Sequence, residues 1–165
     1  MISIANQQKE LPNLPSSLRR RTARLLEELG LSQAELSIVL CDDEAIRELN
    51  AEWRGKDKAT DVLSFPIHEA YDLGKEHYLS EEMEAGSIPP LLGDIVISTE
   101  TCVRQAKEWG HTPYDEAIRL CLHGLLHLCG YDHEEEDDAV EMKAREDELL
   151  QLFRTRKIKA LTQLA

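Results

Sequence analysis

The sequence predicts one α+β domain, a small and mostly mixed sheet of about four strands packed with about five helices. Three observations lead to it. The chain has 165 residues, a length that suits one domain with its own core, and no internal repeat or linker divides residues 1–165. Short apolar runs of strand character recur between longer segments whose apolar residues fall at helical spacing. Pro, Gly, Asn, Asp, Ser and Thr punctuate the junctions between them.

Taken in order, Met1–Ala5 alternates weakly and reads as a short edge strand. Pro12, Asn13 and Pro15 end it. Ser16 or Ser17 is placed to cap a helix running to Leu29, with Gly30 just past its end. Glu35–Cys41 alternates and then turns wholly apolar, as a strand entering the core does. Asp42 or Asp43 caps a helix over about Glu44 to Trp53, which Gly55 stops. Asp61–Phe65, closed by Pro66, and Asp94–Ser98 are two further strands. Between them Ile67–Leu92 is acidic, contains Gly74, Gly86, Pro89 and Pro90, and reads as a long surface loop. Ser98 or Thr99 caps a helix to about Trp109. Thr112 and Pro113 open another that runs to Cys129, with Gly130 beyond. A last helix, about Asp137–Phe153, precedes a basic tail over 154–165 that carries Arg154, Arg156, Lys157 and Lys159.

Hydrophobic residues make up 42% and charged residues 31% of the chain, which fits neither a disordered tract nor a membrane protein. No run nears the ~18 apolar residues that cross a bilayer. Met1–Asn6 lacks the basic start and apolar run of a secretory leader. Cys41, Cys102, Cys121 and Cys129 contain no Cys-x-x-Cys pair and read as buried, reduced thiols. A cytoplasmic location is the expectation.

The formal net charge of −13 argues against a whole-surface attraction for nucleic acid or anionic lipid. That charge is regional, however. Asp132–Glu148 holds ten acidic and two basic residues, and Glu69–Glu84 six acidic and one basic. The rest of the chain is neutral and keeps basic clusters at Arg19, Arg20, Arg21 and Arg24, at Arg54, Lys56 and Lys58, and in the tail.

The densest chemistry lies in His123-Gly-Leu-Leu-His127-Leu-Cys-Gly130-Tyr-Asp-His133. In a helix, positions i and i+4 stack on one face, so His123 and His127 point the same way. Gly130 permits the sharp turn that lets His133 swing back. Three imidazoles converging on one point, with a fourth position left for water, is the arrangement of a catalytic zinc. A metal site therefore belongs at the end of this central helix. The bland reading is three rim histidines satisfied by backbone carbonyls. The spacing also matches metzincin metalloproteases, but those place a Glu after the first His as general base, and here Gly124 stands there.

Two residues near the triad have open assignments. Glu146 lies in an apolar stripe with Ala139, Met142, Leu149, Leu150 and Phe153. A buried carboxylate needs a partner, either the ring N–H of a metal-bound His or an Arg at the rim. Asp132 either supports its neighbouring ligand or is a turn residue. Away from the triad, the basic turn at Arg54, Lys56 and Lys58 reads by physics alone as solvated surface, although an Arg there can grip a phosphate bidentately.

The His123–His133 run, the segment Trp53-Arg-Gly-Lys-Asp-Lys-Ala-Thr-Asp-Val-Leu-Ser-Phe-Pro66, the strand Leu92-Gly-Asp-Ile-Val-Ile-Ser98 and Gly110-His111 together resemble the YbeY family of bacterial endoribonucleases. The matches lie in order over most of the chain. The resemblance implies one α+β domain and a single zinc ion on His123, His127 and His133. It implies cleavage of single-stranded RNA in maturation of ribosomal RNA, notably the small-subunit 3′ end, and in ribosome quality control. RNA and the ribosome or its small-subunit proteins would be the partners. The family's functional Arg falls on Arg54, with Lys56 and Lys58 beside it as substrate contacts. Two features depart from the family pattern: Ala59 stands where many members have Pro, and the Ile67–Leu92 loop is long. Two rivals are a metzincin-like hydrolase of peptides and a non-catalytic ribosome-assembly factor with a structural metal.

Overall fold

The computed structural model describes the backbone of residues 1–67 and 91–164, and side chains within that range up to residue 153. Its elements are β1 (Ile2–Asn6), α1 (Leu14–Glu28), β2 (Glu35–Cys41), α2 (Asp43–Arg54), β3 (Val62–Pro66), β4 (Leu91–Ser98), α3 (Thr99–Trp109), α4 (Pro113–Leu128) and α5 (Glu136–Leu164). The four strands form one sheet in the order β1-β2-β4-β3. β1, β2 and β4 run parallel, and β3 is antiparallel to β4 at the far edge. This is the mixed sheet with five helices that the sequence predicts, counted among the described residues.

Strand alternation decides which helices cover which face. Leu36, Ile38 and Leu40 of β2, with Ile95 and Ile97 of β4, enter a large core shared with Leu18 and Leu25 of α1, most of α4, and Met142 and Leu149 of α5. Cys41 and Val96 point the other way, into a small cluster with Leu63 and with Ile46 of α2. So α1, α4 and α5 pack one face while α2 packs the other. All four cysteines are buried and free. Burial, its largest cause in each case, pushes the thiols of Cys41 and Cys121 up to about 11 and those of Cys102 and Cys129 to about 12. None is a thiolate at neutral pH.

Three boundaries differ from the sequence reading, each for a local reason. Helix α1 begins at Leu14, with Asn13 in the cap position, so Pro15 lies inside its first turn. Proline is tolerated there because its missing N–H would have no helical partner. Helix α5 runs on through most of the expected basic tail to Leu164, since residues 154–164 contain no Gly or Pro to end it. Strand β4 begins at Leu91, inside the expected loop, and Leu92 is wholly buried. Residues 68–90 of that loop lie outside the described residues.

Gly93 hides the start of β4, because a glycine in a strand interior reads as a break. It faces Pro66 across the β3–β4 ladder, next to a register shift between Glu35 and Leu36. Its φ is +137°, and a Cβ there would lie 2.2 Å from the Phe65 carbonyl oxygen. Gly93→Ala is therefore expected to cost at least about 2 kcal/mol of unfolding free energy, from backbone strain and steric overlap together. Urea denaturation measures it, and a variant as stable as the parent would contradict this packing.

Candidate metal centre

Helix α4 is built to be buried. Thr112 caps it, its hydroxyl accepting from the Asp115 N–H at 3.1 Å, and Pro113 occupies its first turn. From Glu116 to Leu128 every residue is buried except Arg119, His123 and His127, which are partly exposed. Those three are spaced by four, so the helix surfaces along a single stripe. At its end Gly130 adopts φ +94°, and the Tyr131 N–H donates back to the Leu126 carbonyl at 3.0 Å. This reversal carries His133 back to the stripe. The candidate ligand atoms of His123, His127 and His133 all lie within 4.8 Å of one another.

The hydrogen bonds of the two helical rings fix where their protons sit. His127 Nδ1 is 3.0 Å from the Tyr131 carbonyl oxygen, which only accepts, so Nδ1 carries the proton. His123 Nδ1 faces Glu146 Oε1 at 2.5 Å and donates to that carboxylate. In the neutral rings both Nε2 atoms are then bare lone pairs, and they stand 3.2 Å apart. Facing lone pairs at that distance repel unless a cation lies between them. Two nitrogens on one tetrahedral zinc, at about 2.0–2.1 Å each, would be about 3.3–3.4 Å apart. The donor set thus fits a divalent metal that accepts imidazole nitrogen. His127 also favours its neutral form: burial lowers its pKa most, and the neighbouring His123 and His133 lower it further, against a weaker opposing effect of the Tyr131 bond and Asp132.

Glu146 is 8% exposed, and of the two partners left open for it the structure gives the His123 ring. Asp132 forms a turn: its Oδ1 accepts from the backbone N–H groups of His133 at 2.7 Å and Glu134 at 3.3 Å. Its carboxylate is 4.0 Å from His133 Nδ1, beyond hydrogen-bond reach. Arg54, Lys56 and Lys58 are exposed at the end of α2 and in the turn after it. No side-chain hydrogen bond or ion pair joins Arg54 to another described residue, and α2 packs the opposite sheet face. The structure brings the three histidines and Glu146 together, and places Arg54, Lys56 and Lys58 in the exposed turn that leads into β3.

Gly124 is where a metzincin would carry its general base, and the structure gives a reason why none can stand there. A Cβ at 124 would lie 3.0 Å from Ile95 Cγ2 and 3.3 Å from Ile95 Cγ1. The position faces Ile95 of β4 at close range, so a carboxylate there would be driven into the core.

Sequence reasoning overlooked a second polar group about two turns earlier in α4. Glu116 is wholly buried and sits 2.5 Å from His111 Nε2 and 2.5 Å from Arg119 Nη2. The Arg119 guanidinium lies over the Trp109 ring, 4.9 Å from its centroid. Burial alone would lower the Arg119 pKa, but bonding and charge from Glu116, then charge from Asp61 and Glu146, raise it overall. An acid in the first turn of a helix reads as a dipole partner, which concealed Glu116. The available signal was its spacing of four from Leu120, on the buried side.

Residues 3–154 match the family model described as endoribonuclease YbeY. Among curated relatives, endoribonuclease YbeY of an Anaeromyxobacter species is 48% identical over 132 residues, 80% of this chain and 61% of the relative. That of Myxococcus xanthus is 53% identical over 125 residues, 76% of this chain and 38% of the relative. That of a Sulfurihydrogenibium species is 46% identical over 133 residues, 80% and 78% of the two chains. The chain thus spans less than two thirds of the length of the first two. A solution structure from Thermotoga maritima aligns with a TM-score of 0.57 at 25% identity, covering 94% of this chain and 93% of that one.

Two variants test the geometry. Glu146→Gln keeps the shape but loses the charge that orients His123, and zinc affinity is expected to fall about 10- to 100-fold in a competition titration with a chromogenic chelator. Unchanged affinity would remove Glu146 from this role. Gly124→Glu is expected to lower unfolding free energy by more than about 2 kcal/mol; a variant of parental stability would contradict the close packing on Ile95.

Proposed function

The chain belongs to the endoribonuclease YbeY family, and from that premise we propose that it is a metal-dependent endoribonuclease. Its substrate is single-stranded RNA in ribosomal precursors, including the 3′ end of the small-subunit RNA, and its setting is the cytoplasm. We assign one zinc ion per chain to His123, His127 and His133, within one functional domain spanning residues 1–165. The observation that carries this reading is the pair of Nε2 atoms 3.2 Å apart, on rings whose Nδ1 atoms each face an oxygen acceptor. Among the described residues no helix is long and apolar enough to cross a membrane.

Bound zinc supplies Lewis-acid polarisation of a phosphoryl oxygen and a water acidic enough to ionise near about pH 7. The remaining work falls to the chain. Glu146 orients the His123 ring and makes it a stronger donor, and the Tyr131 carbonyl does the same for His127. Arg54 grips the phosphate through two N–H groups and offsets the charge that develops on it, with Lys56 and Lys58 adding attraction for the backbone. Water and the RNA's own 2′-hydroxyl are the two possible nucleophiles, and the product ends distinguish them: a 2′,3′-cyclic phosphate means the hydroxyl. The acidity of Asp132–Glu148 keeps affinity for free RNA weak and salt-sensitive, so ribosomal or small-subunit protein contacts supply targeting.

The test compares zinc-loaded protein, His127→Ala and Arg54→Glu on labelled single-stranded and duplex RNA. The parent is expected to cut the single strand only. His127→Ala is expected to lose zinc and all cleavage, and Arg54→Glu to lose at least about 100-fold in rate while keeping zinc. Peptide cleavage with RNA left intact would overturn the proposal in favour of a metallopeptidase. A fully active His127→Ala would reduce the metal to a structural role.

A further inference from the structure

A groove of about 1190 Å³ lies between α1, the start of α4 and the segment of α5 that carries Leu150 and Phe153. Among the described residues its walls carry four guanidinium groups, those of Arg20, Arg21, Arg24 and Arg119, against two carboxylates, Glu27 and Asp115. A cationic surface of this kind is unexpected in a chain of net charge −13.

Two of the four arginines are already engaged. Arg21 pairs with Asp115 at 3.1 Å and lies 5.8 Å over the Phe153 ring. Arg119 is held by Glu116 and Trp109. The other two are not. Arg20 and Arg24 have no carboxylate partner among the described residues, and Arg24 Nε is buried with no hydrogen-bond partner. A donor left unmet in this way is unfavourable, so the groove presents an unused demand for an acceptor oxygen.

The local helix geometry adds to that demand. Asn13, Ser17, Arg20 and Arg24 form one stripe of α1 facing the groove, at the spacings that share a helix face. Asn13, which makes no side-chain cap bond, stands at the N-terminal end of that stripe. Aromatic rings interleave with the charges, as Tyr114 and Phe153 also line the groove. Guanidinium groups alternating with aromatic faces suit a single strand of nucleic acid, phosphates on the first and bases on the second. An acidic protein segment would use the charges and leave the rings idle.

Position completes the case. Arg119 lies on the exposed stripe of α4 one turn before His123, about 6 Å along the axis. It is therefore both a wall of the groove and the neighbour of the histidine cluster.

We propose that this groove binds the backbone of single-stranded RNA several nucleotides away from the bond being cut, with Arg20 and Arg24 as its free phosphate contacts. This rests on the nuclease reading above. It adds a length requirement: a substrate too short to reach from the histidines past Arg119 gains nothing from α1.

The test is Arg20→Ala/Arg24→Ala in the full, zinc-loaded chain, checked for an unaltered circular dichroism spectrum and melting temperature. Cleavage is measured on unstructured RNAs of 4 and 15 nucleotides, with anisotropy of the fluorescein-labelled 15-mer across a salt series. For the 15-mer the double variant is expected to raise KM on the order of tenfold at unchanged kcat, and to reduce the salt slope of log K by about 1.4, two contacts at ~0.7 each. For the 4-mer no parameter is expected to change. Equal loss on both lengths, or no loss on either, would overturn the proposal; the second result would leave the groove to an acidic protein. If the parent binds the 15-mer without cutting it and the double variant loses that binding, the groove stands and the nuclease reading falls. If the parent neither binds nor cuts, both fall.

Discussion

The close approach of α4 to β4 at Gly124 is the contact on which the site depends. A Cβ at Gly124 would stand 3.0 Å from the Ile95 side chain, so glycine suits this close seating, in which α4 is buried on every side but one. Arg119, His123 and His127 occupy the remaining stripe. The histidines thus stand on the exposed stripe of a helix whose other faces are packed in the core. Two further elements complete the group from outside: α5 brings the Glu146 carboxylate to His123, and the turn at Gly130 brings the Tyr131 carbonyl to His127 and His133 to both. Each uses an Nδ1 proton, which leaves the Nε2 lone pairs facing one another. A metal resolves a repulsion that the fold itself sets up.

Most of this was readable before the fold was known, and the exceptions have physical causes. The spacing of four between His123 and His127, with a glycine two residues past the helix, determines convergence because helical periodicity is rigid. Glu146 could be placed in an apolar stripe, but not matched to a partner, since choosing between a histidine and an arginine needs the packing of α5 on α4. Glu116 was concealed for the opposite reason: local position explained it too easily. Gly93 obscured the first residues of β4 because its conformation answers to the neighbouring strand and not to its own segment. Arg54 was marked by its motif alone. Its side chain is exposed, and neither periodicity nor burial says what it meets.

The net charge deserves the same local treatment. Summed over 165 residues it is −13 and opposes RNA binding, but the sum mixes surfaces that never act together. The acids of Asp132–Glu148 lie in the turn around His133 and along α5. The groove between α1 and α4 carries four arginines against two acids. An acidic protein with one cationic groove holds a polyanion weakly and in one place. That fits the proposed function, in which other contacts supply targeting.

The most direct measurement is zinc K-edge X-ray absorption on the purified chain after metal analysis. One zinc per chain is expected, with three imidazole nitrogens and one oxygen at about 2.0–2.1 Å. Sulfur in the shell, six oxygen neighbours, or the absence of stoichiometric metal after zinc loading would contradict it.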